Sequence, residues 1–283
     1  MTFTNGYDLF VPEIWGKKLN TSLEKSCVML QCVNRNWEGE IKTQGDTVRI
    51  LTPGDVSISS LSDSSLTYSE ITPTQQSLVI DQQKVFAFKI NDVALAQANA
   101  DIMEAYLNNA KKAIEIEQDS FLLGKHVDVT SANTLGSTSS AIELTASNAY
   151  SQFVQLAKKL KNSNAVSSGQ KPWVVINPEI EALLLQCSQY TSAYQVADET
   201  LRNGSIGRIA GMDVLVSTNL TPSSSQYYVL AGTNEAITFA SQLAKIETIR
   251  DKDSFSDLVR GLYLYGAKTV NPSALAKMIC TIS

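Results

Sequence analysis

The chain has 283 residues, 43% hydrophobic and 18% charged, with 23 Lys plus Arg against 28 Asp plus Glu for a formal net charge of −5. At 30.8 kDa, with a mean hydropathy of −0.06 and a pI near 5.0, this is a globular composition for one large or two modest domains. It excludes disorder and collagen-like repetition and lacks the broad basic footprint of a dedicated nucleic-acid reader. No window approaches an 18-residue apolar run, and the first twenty residues lack a basic start followed by an apolar stretch. Neither a membrane span nor a secretory signal is therefore expected, and the protein is expected to be soluble and made in a cytoplasm.

In chain order, residues 1–11 read as an arm. Residues 12–32 follow as a helix opened by Pro12, with Ile14, Trp15, Leu19, Leu23 and Leu30 as its narrow apolar stripe. Residues 47–51 alternate as a strand with Val48 and Ile50 on one face. Residues 77–90 form a second extended run with Phe86, Phe88 and Ile90 on one face. Between them lie Pro53-Gly54, a serine-rich stretch and Thr72-Pro73. This stretch is too polar for a core of its own, so it reads as the far part of a long projecting hairpin.

A helix capped by Asn91 or Asp92 is expected to run to Leu123 and stop at Gly124. Val93, Ala96, Ala100, Met103, Leu107, Ala110, Ile114 and Phe121 form its stripe, with Glu115 and Gln118 among the residues off it. Such a helix would span roughly 45–50 Å. Its alanine-rich stripe suits a flat neighbour better than a coiled coil.

Thr145 is expected to cap a helix over 146–161, with Tyr150, Phe153, Val154, Ala157 and Leu160 inward. Residues 173–176 read as a buried strand, and Asn177-Pro178-Glu179 as a helix start that continues through Ile180, Leu183, Leu184 and Cys187. Residues 208–210 and 213–216 read as strands around a turn at Gly211. Residues 227–231 are another strand, and Asn234 opens a short helix to Phe239. Residues 172–240 thus read as an α/β subdomain. Residues 244–249, 258–270 and 274–282 are strands, the last two joined by a turn at Asn271-Pro272-Ser273. Both faces of Leu262-Tyr263-Leu264-Tyr265 are bulky, so that strand is covered on both sides or meets another chain.

Chemical motifs are sparse. His126 is the single histidine, so a His-rich zinc site or a two-histidine facial triad is impossible within one chain. Cys27, Cys32, Cys187 and Cys280 form no C-x-x-C and read as small buried thiols. There is no phosphate loop and no G-x-S-x-G; Gly204, Gly207 and Gly211 have the wrong spacing for a dinucleotide fingerprint and read as turn glycines. Nothing selects a pair of carboxylates. No catalytic residue, cofactor or metal is expected, and the protein reads as a non-enzyme. An arm, a hairpin and a long helix that bury little within one chain read instead as parts of a subunit whose projections are covered by other copies.

Three phrases occur in order along this layout: Gly45-Asp46-Thr47-Val48 entering the hairpin, Val174-Val175-Ile176-Asn177-Pro178 entering the subdomain, and Ile209-Ala210-Gly211-Met212-Asp213-Val214 within it. With the order of elements, they resemble the major capsid proteins of tailed bacteriophages, the Hong Kong 97 fold. The resemblance implies an α+β chain with an N-terminal arm (1–39), an extended hairpin loop (40–90), a peripheral domain with a long spine helix (91–171 and 241–283) and an α/β axial domain (172–240). It implies pentamers and hexamers forming an icosahedral shell around double-stranded DNA, held by weak non-specific contact. The virion is the expected location, after assembly in the host cytoplasm and with no membrane contact.

By position, Trp15, Leu19 and Leu23 would be arm contacts. Val56, Ile58, Leu61, Leu66, Tyr68 and Ile71 would be extended-loop contacts, and Tyr190, Tyr194 and Arg202 would lie in the loop nearest the capsomer axis. No lysine lies between Lys42 and Lys84, which argues against the lysine–asparagine cross-link of some family members. The chain passes from Met1 almost directly into the arm, so a separate scaffolding protein is expected, with a portal and decoration proteins as further partners. Three alternatives stand beside this reading: an encapsulin-type shell of the same fold holding an enzyme, an α/β enzyme with a site within 172–240, and a different virion part such as a decoration or tail protein.

Overall fold

Three sheets and one long helix organise the chain in the computed structural model, which describes residues 27–37, 47–52, 58, 73–91, 102–166, 170–187, 207–220, 222–252 and 254–282. The smallest sheet is the antiparallel pair β1 (Thr47–Thr52) and β2 (Thr74–Val79), in register from Thr47 opposite Val79 to Thr52 opposite Thr74. Val48, Ile50 and Leu78 are buried, whereas Arg49 and Leu51 face out, as the two-residue period requires. The pair forms the base of the expected hairpin.

The second sheet has the order β10–β11–β3, all antiparallel. It comprises β3 (Gln82–Asn91) and the 14-residue strands β10 (Ile237–Arg250) and β11 (Ser256–Thr269). A bulge interrupts β10 between Leu243 and Lys245. One face receives α1 (Ile102–Leu123): Phe88 packs on Tyr106 at 5.6 Å, and Phe121 meets Tyr265 edge-on at 5.4 Å. The other face is covered at one end by β1 and β2, where Val48, Ile50, Leu78 and Ile80 pack with Ala240 and Leu264. Leu264 and Tyr265 are thus buried on opposite sides of β11, as their bulk implied.

The third sheet runs β4–β12–β9–β6–β8–β7, with β5 beside β12 as well. Its strands are β4 (Thr134–Leu135), β5 (Ile142–Leu144), β6 (Trp173–Ile176), β7 (Arg208–Ile209), β8 (Met212–Val216), β9 (Tyr227–Gly232) and β12 (Leu275–Ile282). All four residues of β6 are buried, which a strand covered on both faces requires. Phe153, Leu156 and Leu160 of α2 (Ala149–Asn162) and Ile180 and Leu184 of α3 (Pro178–Gln186) share its core. The α3 start is the expected one: the Asn177 side chain accepts the Ile180 N–H at 2.9 Å, with Pro178 next and Glu179 and Glu181 in the first turn. Ala210 and Gly211, at φ 50° and 88°, make the two-residue turn between β7 and β8, a backbone that glycine adopts without strain.

Several elements differ from their sequence expectation. The helix expected to reach Cys32 is absent from its described end, where Met29–Gln31 form a 3-10 turn. The run 77–90 is two strands: at Ile80-Asp81 the chain leaves the small sheet for the second one. Asn91 is the end of β3 rather than a helix cap, and Asp92 lies outside the described residues. The long helix does end at Leu123, but Gly124 opens a 3-10 turn (Gly124–Asp128) instead of a left-handed stop. From Tyr106 onward its buried residues are Gln118, Asp119, Leu122 and Leu123, whereas Leu107, Ala110, Ile114 and Phe121 are only half-buried. The helix lies on the sheet for most of its described length and enters the core at its C-terminal end.

Thr145 does not cap α2 directly. Its N–H donates to Asn148 Oδ1 at 2.9 Å, and its carbonyl takes the N–H groups of Asn148 and Ala149, so a turn precedes the helix. Within α2, Val154 is 38% exposed and Leu156 is buried. The short helix expected over 234–239 is replaced by a turn and the start of β10, because Ile237, Thr238 and Phe239 pair with Thr269, Lys268 and Ala267.

Candidate assembly surfaces

The second sheet leaves part of one face open among the described residues. Register places Val85, Leu262 and Lys245 side by side, then Ala87, Arg260 and Glu247, then Lys89, Leu258 and Ile249. The hairpin base covers this face at Leu264 and stops short of Val85, which is 65% exposed. A shallow groove of about 380 Å³ runs over Gln83, Val85, Gly261 and Leu262 and is bordered by Lys245, Glu247 and Arg260. Arg260 Nε donates to Glu247 Oε2 at 2.8 Å, and Lys245 pairs with the same carboxylate. Hydrogen bonds from Lys245 and Arg260 hold the Glu247 carboxyl below its usual range. An apolar strip flanked by neutralised charge suits packing against another protein surface.

The β10–β11 tip is tied together around Asp251. Its carboxylate accepts from Lys89 Nζ and Ser254 Oγ, both at 2.6 Å, and its N–H donates to the Ser256 carbonyl at 3.0 Å. On this braced tip Phe255 stands 80% exposed.

The root of the N-terminal segment meets the body at Asp119. Its Oδ1 accepts the N–H groups of Val28 and Met29 at 2.9 and 2.8 Å; its Oδ2 accepts Asn219 Nδ2–H at 2.8 Å and the Ser217 hydroxyl at 3.1 Å. Burial, with the Asp119 charge adding to it, pushes the neighbouring Cys32 thiol up to about 12. Burial alone does the same for Cys280. None of the four cysteines forms a disulfide; Cys32, Cys187 and Cys280 are buried and Cys27 is half-buried. His126 donates from Nδ1 to the Leu123 carbonyl at 3.0 Å and stacks on Tyr228 at 4.4 Å, a satisfied structural histidine. Among the described residues no group of three or more His, Cys, Asp or Glu side chains is arranged to hold a metal ion.

Of the contact residues expected from sequence, Ile58 is described and is 97% exposed. Trp15, Leu19, Leu23, Val56, Leu61, Leu66, Tyr68, Ile71, Tyr190, Tyr194 and Arg202 lie outside the described residues. Sequence reasoning passed over Asp119, Phe255 and the Val85–Leu262 strip. Asp119 reads as one more polar residue of an amphipathic helix. The isolated Gly261 and Gly266 mark close approach elsewhere on the sheet, Gly261 on the α1 face beside Phe86 and Gly266 under the hairpin base, so they did not point to the strip. A Cβ at Gly261 would strike the Phe86 ring, and one at Gly266 would strike the Val79 carbonyl.

Comparison with known proteins gives this geometry a family. The phage capsid protein family model matches residues 75–278. A solved structure from Mycobacterium phage Che8 is 29% identical, with 98% of each chain covered and a TM-score of 0.77. The capsid structure of cyanophage P-SCSP1u, 15% identical, covers 100% of this chain and 96% of that one at a TM-score of 0.77, and the capsid of Ralstonia phage GP4, 11% identical, covers 100% and 98% at 0.72. No curated protein matches. The chain belongs to the phage capsid protein family and has the Hong Kong 97 fold of tailed-phage major capsid proteins.

Proposed function

We propose that this chain is the shell subunit of a tailed-phage head, assembling as pentamers and hexamers into an icosahedral particle that encloses double-stranded DNA. The capsid-family match across 75–278 carries the reading, and the open apolar strip beside the hairpin base is the surface that such a role requires. The role is structural rather than enzymatic. In this proposal residues 1–39 act as the arm, 40–90 as the extended loop, 91–171 with 241–283 as the peripheral domain and 172–240 as the axial domain. Trp15, Leu19 and Leu23 contact one neighbour, and Val56, Ile58, Leu61, Leu66, Tyr68 and Ile71 contact another. Tyr190, Tyr194 and Arg202 approach the capsomer axis. Scaffolding, portal and decoration proteins are the further partners, assembly takes place in the host cytoplasm, and the shell holds without covalent cross-links.

Negative-stain electron microscopy of the protein, expressed with and without its genomic neighbours, tests the proposal. Closed polyhedral shells or isolated pentamers and hexamers are expected. A monomer or dimer under every condition overturns it. A band ladder surviving boiling in denaturing gels of purified particles would overturn the non-covalent part.

A further inference from the structure

Residues 28 and 29 belong to no long helix and no sheet, yet their N–H groups are held more firmly than those of an ordinary loop. A 3-10 turn leaves its first N–H groups without partners inside the turn, and the turn at Met29–Gln31 has no side-chain cap of its own. The missing cap comes from 90 residues away: Asp119 Oδ1 takes both N–H groups, at 2.9 and 2.8 Å. The same carboxylate binds Ser217 and Asn219 just after β8 through Oδ2. Asp119 is fully buried. An ionised carboxylate only accepts hydrogen bonds, so four donors from two other parts of the chain suit it. One side chain on the last turns of α1 therefore locks the root of the N-terminal segment to the third sheet.

We propose that Asp119 is a positioning residue for assembly: by holding Val28 and Met29 against Ser217 and Asn219 it fixes the point at which the N-terminal segment joins the body, and shell formation depends on that fixed point. This rests on the shell-subunit reading for its consequence, but the anchoring itself is a property of the single chain.

The first test needs no variant. In the unassembled wild-type subunit, amide exchange at Val28 and Met29 is expected to be slowed at least tenfold relative to an open loop. Exchange at open-loop rates overturns the proposal. In Asp119→Ala, where both acceptor oxygens are lost, exchange at these two amides is expected to rise at least tenfold while Val174 and Val175 of β6 keep their protection. Leu156→Ala serves as the comparison, since it weakens the core without touching Asp119 and raises the β6 amides as much as Val28 and Met29. Wild-type rates at Val28 and Met29 in Asp119→Ala overturn the anchor.

Assembly is then compared by electron microscopy. Asp119→Ala subunits with intact β6 protection are expected to give few or misshapen shells, and wild-type shells at wild-type yield overturn the positioning role. If the wild-type chain forms no shells at all, the capsid reading fails while the exchange result still decides the anchor.

Discussion

Gly266 lies in β11 opposite Ala240, under the point where the chain leaves β2 for β3. A Cβ added there would fall inside contact distance of the Val79 carbonyl oxygen and 3.1 Å from Ile80 Cα. Both obstacles are backbone, so no rotamer change relieves them. Gly266→Ala must instead lift the hairpin base off the sheet, loosening Val48, Ile50, Leu78 and Ile80 from Ala240 and Leu264. Overpacking of this kind costs about 1–3 kcal/mol, and the upper half applies when backbone must move. At roughly 2–4 °C per kcal/mol for a chain of this size, the melting temperature falls by about 4–12 °C. Gly124→Ala is the control: nothing lies within 4 Å of its added Cβ and its φ is not left-handed. A neutral result or a gain of about 0.5 kcal/mol is expected there. Calorimetry on the unassembled subunit reads the first effect, and amide exchange in β1 and β2 localises it. A Gly266→Ala protein that melts with wild type and keeps Val48 and Leu78 protected would refute the close-approach argument.

Two further outcomes follow from burial. Leu156→Ala removes a fully buried α2 side chain and should cost about 2–5 kcal/mol, whereas Val154→Ala on the exposed side should stay within about 0.5 kcal/mol; equal melting temperatures for the two would place the helix in the wrong rotation. Burial holds Cys32 and Cys280, ordinarily at 9.0, and Tyr265, ordinarily at 10.0, all up at about 12. The folded chain thus keeps protons that the unfolded chain releases, so stability is intact below about pH 9 and declines as pH rises toward about 12. Thermal melts from about pH 8 to about pH 11 should show that decline, shallower in Cys280→Ala; a flat profile contradicts it.

Local signals that name one physical requirement survived into the structure. Asn177-Pro178-Glu179 specifies a helix start through the backbone it caps, and Ala210-Gly211 specifies a two-residue turn because β7 and β8 need positive φ there. Residues 173–176 were legible as a buried strand because an apolar run that short has no exposed face. Failures came where distant pairing decides. Phe239 reads as helix only until β11 is set beside it, and Val154 and Leu156 are equally apolar until the third sheet selects a side of α2. The surfaces followed the same division. The capsid family was readable from the order of elements and a few short phrases, but the Val85–Leu262 strip exists only through the register of β3 on β11. Asp119 becomes a junction only when Val28 and Asn219 arrive from opposite directions.

The placing of β12 sets an order on the chain's birth. β12 is the strand that both β4 and β9 flank, and Met278 pairs with Leu135. On the ribosome, β4 and β5 wait for a partner encoded roughly 140 residues downstream, a delay of roughly 7–28 s at ordinary synthesis rates. Over the last third of that interval, once residues 227–232 have been made, the edge of β9 is bare as well. Arrival of β12 closes all three edges in one event. Formation of the large sheet is in this sense a completeness check, because a product lacking 275–282 leaves the edges of β4, β5 and β9 unpaired.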